Sequence, residues 1–423
     1  MAKIKYLSSM ISCSIGNILE WYDFGLFTIF SSLFSRLFFP TTDPDTAMIA
    51  TVGIFSLGFF CRPIGALIFG YFGDKNGRAK TLRLSILMIV LPTLLIGCIP
   101  TYQQIGITAP LLLTIIRMWQ GISIGGEYSG SLIYLAEIAP NNKRALTTSL
   151  GNIGANLGIL FASLAGIAIT HLMPSDLIEN WGWRIAYIIS GVICLLIYIF
   201  RLRVHETTIF RELKRSHQTV VNPITTVIFS HPASLLRIIG MICMGSTFYF
   251  FCYIYLPIYL VQVVQLSVSS IASLMSTLIT CMLVMVPIAA FICDLIGRRK
   301  LLLFNSFLIT VLIVPGFYFL HTQTFGIIFL ILGIFTLASS LEQGTTPVAI
   351  IENFPANTRY TGVSLGYNIG NGFLGGTVPL ICEWLLTATH FSLTPALYIT
   401  FWALVTFVVI YFFVPETKGK SLI

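Results

Sequence analysis

Gly70-Tyr-Phe-Gly73-Asp74-Lys-Asn-Gly77-Arg78-Ala-Lys80 closes one long apolar run, and Asp294-Leu-Ile-Gly297-Arg298-Arg299-Lys300 closes another. Both contain Asp-x-x-Gly-Arg. A second pair of segments repeats in the same order, Glu137-Ile-Ala-Pro140-Asn-Asn-Lys-Arg144 and Glu352-Asn-Phe-Pro355-Ala-Asn-Thr-Arg359, both Glu-x-x-Pro-x-x-x-Arg. The first match is offset by 220 residues and the second by 215. Two matches in one order at nearly one offset read as a duplication, and a duplication sets the architecture before any single residue does.

The sequence around these repeats is too apolar for water. Of 423 residues, 56% are hydrophobic and 9% charged, against about 25% charged in an ordinary soluble domain. The mean hydropathy is +0.89. Lipid is therefore the main solvent, which excludes a soluble enzyme, a disordered chain and a nucleic-acid binder despite a net charge of +8. Twelve apolar segments of helix-spanning length begin near residues 8, 48, 81, 109, 145, 184, 233, 269, 299, 325, 360 and 394. They exceed β-barrel strand length several-fold. The expected fold is all-α and integral to the membrane, with twelve transmembrane helices in two six-helix bundles. The first bundle covers 1–202, a basic connector 203–232, and the second bundle 233–423.

Placing both termini in the cytoplasm puts 20 of the 24 Lys and Arg on the inner side. Arg36 and Arg184 then lie near outer helix ends, Arg62 and Arg117 lie within spans, and the outer loops (around 100–108, 262–268, 321–324 and 389–393) carry no Lys or Arg. This is a positive-inside pattern, so the basic balance reflects topology. The first span contains Asn17, Glu20 and Asp23 and lacks a small-residue cleavage site, so it is expected to be retained rather than cleaved. The nine cysteines sit in apolar spans without a CxxC pair and read as packing residues.

Further motifs sharpen the reading. The first span holds Gly16-Asn17-x-x-Glu20-Trp21-Tyr22-Asp23-Phe24 and the second Arg62-Pro63-Ile64-Gly65. The fourth holds Arg117-x-x-Gln120-Gly121-x-x-x-Gly125-Gly126-Glu127. Trp181-Gly-Trp-Arg184 and Phe354-Pro355-x-x-x-Arg359-Tyr360-Thr361-Gly362-Val363-Ser364 follow. With the Gly70–Lys80 signature, the chain resembles the major facilitator superfamily over its whole length, and within it the metabolite:proton symporter family. The resemblance implies proton-coupled transport of proline or betaine, 2-oxoglutarate, citrate, shikimate or a related small polar solute.

An ionised side chain in the bilayer interior is costly, so each one there is a candidate functional group. Asn17, Glu20 and Asp23 share one face of the first span, and Arg117 and Gln120 one face of the fourth. Counting residues from the outer ends puts Asp23 and Arg117 at compatible depths. Asp23 is read as the proton acceptor and Arg117 as its switchable partner, or the two form a permanent ion pair; the resemblance to sugar:proton symporters implies the first. Glu20 is a second proton-coupling candidate, or a packing acid bonded to the fourth or fifth span. Glu127 is a proton relay or the partner of Arg62.

Arg62, Asn17 and Gln120 join the substrate-binding candidates, with Asn152 and Asn156, the tyrosines Tyr249 and Tyr253, and Tyr367 and Asn368. Tyr255 and Tyr259 read as an interfacial belt. Glu342, an acid outside the family's motifs, tilts the solute toward an amino-acid- or betaine-like zwitterion, which aromatic rings hold by cation–π attraction. Arg62 and Arg117 would instead suit a dicarboxylate. The resemblance makes Gly70, Asp74, Gly77, Arg78, Glu137, Arg144, Asp294, Arg298, Glu352 and Arg359 a cytoplasmic gate, expected to consist of exposed pairs worth about 0–1 kcal/mol each.

The alternative function is an uncoupled uniporter or exchanger of organic acids. An enzyme is not expected: the six histidines fall in loops or at helix ends, and no HExxH or nucleophile motif occurs. No cofactor, metal or nucleic-acid partner is expected. The partners are the solute, protons and membrane lipid, and the protein is expected to act as a monomer in a bacterial inner membrane.

Overall fold

The computed structural model describes residues 2–40, 43–320 and 324–422, so most of the 321–324 loop lies outside the described residues. Among the described residues there is no strand. The first six long helices are α1 (Ala2–Ile29), α2 (Pro44–Asn76), α3 (Arg78–Cys98), α4 (Thr108–Ile138), α5 (Arg144–Leu172) and α6 (Trp183–Arg201). A segment with a short helix at Thr208–Arg215 leads to the second six. These are α7 (Pro232–Phe250), α8 (Val268–Ile296), α9 (Arg298–Phe319), α10 (Phe325–Glu352), α11 (Arg359–Ile369) and α12 (Thr394–Phe413).

Two helices continue through a widened π-turn. α7 passes through Phe251–Tyr255 into Leu256–Gln262, and α11 through Gly370–Gly375 to reach Val378–Thr389. In each case a proline, Pro257 or Pro379, stands just beyond the turn. Proline lacks an N–H and its ring crowds the preceding turn, so widening the helix there relieves both problems.

Ten of the twelve helices are long and apolar enough to cross a membrane. The other two, α1 and α4, fall short because they carry the polar residues Asn17, Glu20, Asp23, Arg117, Gln120 and Glu127. The outward surface is apolar, with Leu111, Ile115, Leu196, Phe304, Leu330 and Phe412 exposed, while Arg62, Arg78, Arg144, Arg201, Arg298 and Arg359 are fully buried. This inverts the pattern of a water-soluble protein and suits a lipid solvent.

Within the first half α1 packs on α5, α2 on α4 and α3 on α6; within the second, α8 packs on α10 and α9 on α12. The halves meet along two seams, α2 against α11 and α5 against α8. Small residues allow the closest approaches. A Cβ on Gly121 would strike the Gly58 carbonyl, and one on Gly125 the Arg62 carbonyl, so α2 and α4 touch backbone to backbone.

Candidate functional site

The repeat motifs converge at one end of the molecule, the face that bears the α2–α3 turn, the connector and the chain's last residues. Asp74 accepts from the backbone N–H of Tyr360 (3.0 Å) and Thr361 (2.9 Å), the first turn of α11 in the other half. Asp294 accepts from Ala145 and Leu146 N–H, both 3.0 Å, the first turn of α5. Each aspartate thus caps a helix of the opposite half, where orphan N–H groups and the positive helix end favour an anion.

Beside each cap is a glutamate shared by two arginines. Glu137 contacts Arg78 (3.3 Å) from its own half and Arg359 (3.1 Å) from the other. Glu352 contacts Arg298 (2.9 Å) from its own half and Arg144 from the other. Asp74–Arg78 and Asp294–Arg298, both 3.2 Å, close each cluster. Gly77 and Gly297 adopt φ +116° and +115°, a region open to glycine alone at low cost. Gly70 lies so near Thr361 that a Cβ would meet its Cα.

Two features correct the sequence-based reading of this gate. Its charges are not exposed pairs: Asp74, Arg78, Glu137, Arg144, Arg298 and Arg359 are each at most 5% accessible. The packed α2–α11 and α5–α8 seams take them out of water. A third repeated element also joins in. Glu206 accepts from the N–H of Arg78 and Ala79, and Thr207 donates to Glu137 (2.7 Å). In the second half Glu416 accepts from Arg298 and Arg299 N–H, and Thr417 donates to Glu352. The signal was present as Val204-x-Glu206-Thr207 and Val414-x-Glu416-Thr417, one copy in the connector and the other in the tail.

At mid-depth, the first half holds three buried ion pairs. Asp23–Arg117 is 2.8 Å, and Arg117 also donates to the Tyr187 hydroxyl (2.7 Å) and Gln120 (2.8 Å) with its guanidinium 4.0 Å from the Phe27 ring centre. Asp23 and Arg117 thus lie at one depth, as their positions along the two spans predict. Gln120 donates on to Thr93 (3.1 Å), which fixes its orientation. Glu20 pairs with Arg62 of α2 (3.5 Å), not with the fourth or fifth span, and Arg62 reaches across to Asn368 of α11 (3.2 Å).

Glu127 pairs with Arg201 (2.6 Å) and accepts from Ser85 (2.6 Å); it is not the partner of Arg62. By sequence Arg201 is one of the 20 basic residues counted on the inner side. Its position at the last residue of α6 instead lets it fold back against α1 and α3, where the carbonyls of Ser12 and Leu82 accept from it.

Between the halves lies a cavity. The first half contributes Trp21, Tyr128, Leu132, Asn152, Ala155 and Asn156 to its wall. The second contributes Ile242, Gly245, Ser246, Tyr249, Glu342, Gln343, Thr346, Pro347, Ile350, Tyr367 and Asn371. Of the substrate-binding candidates, Asn152, Asn156, Tyr249, Glu342 and Tyr367 are brought together here, and Asn17, Arg62, Gln120, Tyr253 and Asn368 are not. Asn17 is spent on helix packing, bonding Gly151 and Ser131, and Tyr253 donates to Thr336. Tyr255 and Tyr259 are 1% and 2% accessible and pack with Phe251 and Phe317, so they form core rather than an interfacial belt.

The cavity's polar groups divide by half. Asn152 donates to the Gln343 carbonyl (2.6 Å) and Asn156 to its side-chain oxygen (2.9 Å), so amides of α5 clasp α10. Trp21 and Tyr249 meet edge to face across the halves, centroids 6.4 Å apart. Glu342 accepts from Thr346 through Oε1 and has no partner at Oε2. No Lys or Arg is in the wall.

Comparison with known proteins gives one answer. Residues 13–379 match the family model described as Major Facilitator Superfamily. A protein of Staphylococcus aureus (strain COL), provisionally named a proline/betaine transporter, is 33% identical over 99% of this chain and 90% of its own length. The proline/betaine transporter of Escherichia coli (strain K12) is 30% identical over 93% of this chain and 81% of its own length. Among solved structures, the proton:xylose symporter XylE bound to 6-bromo-6-deoxy-D-glucose superposes with a TM-score of 0.79 at 16% identity, covering 100% of this chain and 98% of that one.

Proposed function

Because this chain belongs to the major facilitator superfamily, we propose that it is a secondary active transporter that carries a small zwitterionic ammonium compound together with protons. The observation that carries the reading is the mid-depth cavity, whose wall both halves build and whose charged lining is a single acid among aromatic rings. A rigid ammonium finds there a carboxylate at Glu342, the rings of Trp21, Tyr249, Tyr128 and Tyr367, and amides at Asn152 and Asn156. Cation–π attraction in such a desolvated setting is worth about 2 kcal/mol. The solute's own carboxylate competes for the amide donors that now clasp Gln343. Arg62 and Arg117 are bound to Glu20 and Asp23, so a dicarboxylate finds no guanidinium in the wall. Proline- and betaine-like solutes fit, in line with the names of the two relatives.

The transport cycle follows from the paired charges. The bodies that move are the halves 1–202 and 233–423, with 203–232 as their tether. The face bearing the latch is cytoplasmic, with both termini on that side, in a bacterial inner membrane. In the described conformation that face is shut. A proton arriving at Asp23 removes its charge, weakens its hold on Arg117, and leaves Arg117 to Tyr187 and Gln120. That local change alters how α1 and α4 pack and favours release of the latch, which opens the cavity inward. Loss of the proton to the cytoplasm restores the pair.

The test is accumulation in proteoliposomes under an imposed membrane potential and pH gradient. One charge moved through 100 mV is worth about 2.3 kcal/mol. At about 1.4 kcal/mol per tenfold, the potential alone supports roughly 40-fold accumulation. Asp23→Asn is expected to retain counterflow exchange of labelled proline and to lose all accumulation above equilibrium. Acid-driven accumulation by the variant equal to wild type rejects Asp23 as the proton carrier. Accumulation indifferent to the gradient in the wild type makes the protein an uncoupled exchanger.

A further inference from the structure

Two hydrogen-bond donors in the cavity wall stand idle. Asn371 is 6% accessible, and its Nδ2 meets no acceptor among the described residues. The indole Nε1–H of Trp21 is likewise buried and without a partner. Both residues line the cavity, Trp21 on α1 of the first half and Asn371 in the widened turn Gly370–Gly375 of α11 in the second.

Both side chains are held in place. Asn371 Oδ1 accepts from Ser246 of α7 (3.2 Å), which fixes the amide and leaves Nδ2 as its open end. The Trp21 indole stands edge to face against Tyr128 and Tyr249, with centroids 6.5 and 6.4 Å apart. A buried N–H without an acceptor is costly, and folded proteins keep few of them. Asn152 and Asn156 differ, since each already donates to Gln343. The wall also holds the converse group, the unpartnered Glu342 Oε2. Idle donors and an idle anionic acceptor in one cavity are the complement of a zwitterion.

We infer that Trp21 Nε1 and Asn371 Nδ2 form the subsite for the solute's carboxylate, while its ammonium faces Glu342 and the rings. A carboxylate accepts at both oxygens, so it takes one donor from each half and spans the interface. No existing bond is broken in doing so, and the contest for the Gln343 clasp comes second. Hydrogen bonds to an ionised acceptor are the strong ones. The subsite deepens the proposed function and rests on its zwitterionic solute.

The experiment compares glycine betaine with choline, which keeps the trimethylammonium group and carries a hydroxyl in place of the carboxylate. Titration calorimetry on the purified transporter at pH 8 reads both affinities. A site built to bond a group rejects an analogue that lacks it, so the wild type is expected to prefer betaine by about tenfold or more. Trp21→Phe keeps a ring and removes the N–H. It is expected to narrow the betaine-to-choline ratio by about tenfold, the weight of one bond to a charged group, whatever it does to ring contacts common to both ligands. Asn371→Asp keeps the acceptor for Ser246 and sets a negative charge where the carboxylate docks. It is expected to lose betaine, to bind choline at least as well as the wild type does, and so to reverse the preference.

A betaine-to-choline ratio left at the wild-type value in Trp21→Phe overturns the subsite, and so does an equal loss of both ligands in Asn371→Asp. In either case betaine binding by the wild type leaves the zwitterionic solute standing. If Asn371→Asp does not fold, the ratio in Trp21→Phe still decides. A wild type that binds neither betaine nor proline overturns the subsite and the proposed solute together.

Discussion

The latch and the mid-depth interior obey different symmetries. At the latch, the principal contacts made by one half have counterparts in the other: Asp74 and Asp294 as caps, Glu137 and Glu352 as hubs, Glu206 and Glu416 under the glycine turns. At mid-depth the symmetry is gone. The first half holds three arginine–acid pairs and the second a lone acid, Glu342. On the proposed cycle, closing a face is a task both halves perform alike, while binding a solute and handling protons divide between them.

The sharpest way to break this comparison is to strike the two hubs. Glu137→Gln and Glu352→Gln each leave two buried arginines under-compensated, and removing one partner of a buried pair costs about 3–5 kcal/mol. Both variants are expected to shift the protein toward an open latch face to a similar extent. Cysteine labelling on that face is the measurement. A large effect at one hub and none at the other destroys the claim of equivalence.

The mid-depth pairs are expected to behave less uniformly. Arg201→Met strands Glu127, at a cost of about 3 kcal/mol or more in thermal unfolding. Adding Glu127→Leu should recover most of that loss, because a packed apolar pair replaces a buried ionic one without desolvation. Proton-driven uptake by the double variant is expected to persist, which makes Glu127–Arg201 a structural strut. If stability returns but coupling does not, Glu127 is part of the proton route.

A smaller and again paired effect concerns the turns. Gly77→Ala and Gly297→Ala place a Cβ at φ near +115°, next to Glu206 and Glu416 respectively. Backbone of this kind costs a side chain about 1–3 kcal/mol. Equal loss of thermal stability at both positions supports the repeat; loss at one only contradicts it.

Legibility in the sequence follows the same division. The twelve helices were readable because lipid demands long apolar runs, and the latch because a repeated task keeps repeated residues. Asp23–Arg117 was readable because two charges at one depth have few ways to be satisfied. What escaped had its explanation elsewhere in space. Arg201 looks like a topology charge, since nothing local shows that it folds back on Glu127. Glu206 and Glu416 escaped because they sit in the connector and the tail, where acids usually mean solvent. Arg62 was read as a substrate ligand, yet its neighbours Glu20 and Asn368 lie 42 and 306 residues away. The cavity wall was half legible, since Glu342 and the asparagines are polar where lipid forbids it, whereas Gly245 and Thr346 carry no such mark.

The smallest effect is the most delicate probe of equivalence, because Glu206 and Glu416 share a role but not an environment. Burial works to raise the Glu416 carboxyl, but four backbone N–H donors, from Lys418, Arg298, Arg299 and Thr417, outweigh it and hold it below the ordinary carboxylate range. For Glu206 burial wins, and its carboxyl titrates above that range despite N–H donors from Thr207 and Ala79 and the charge of Arg78. The signs are opposite. A depressed acid adds stability above its unfolded pKa, and that stability is lost as pH falls through its folded value. A raised acid subtracts stability at neutral pH, and protonation on acidification relieves the deficit. Glu416→Gln should therefore lower stability at pH 7 and flatten the decline below about pH 4.3, where free glutamate titrates. Glu206→Gln should leave neutral stability equal or higher and remove a gain that begins at milder acidity. Thermal unfolding in detergent from pH 3 to 7 reads both slopes; matching slopes in the two variants would mean that the pair share environment as well as role.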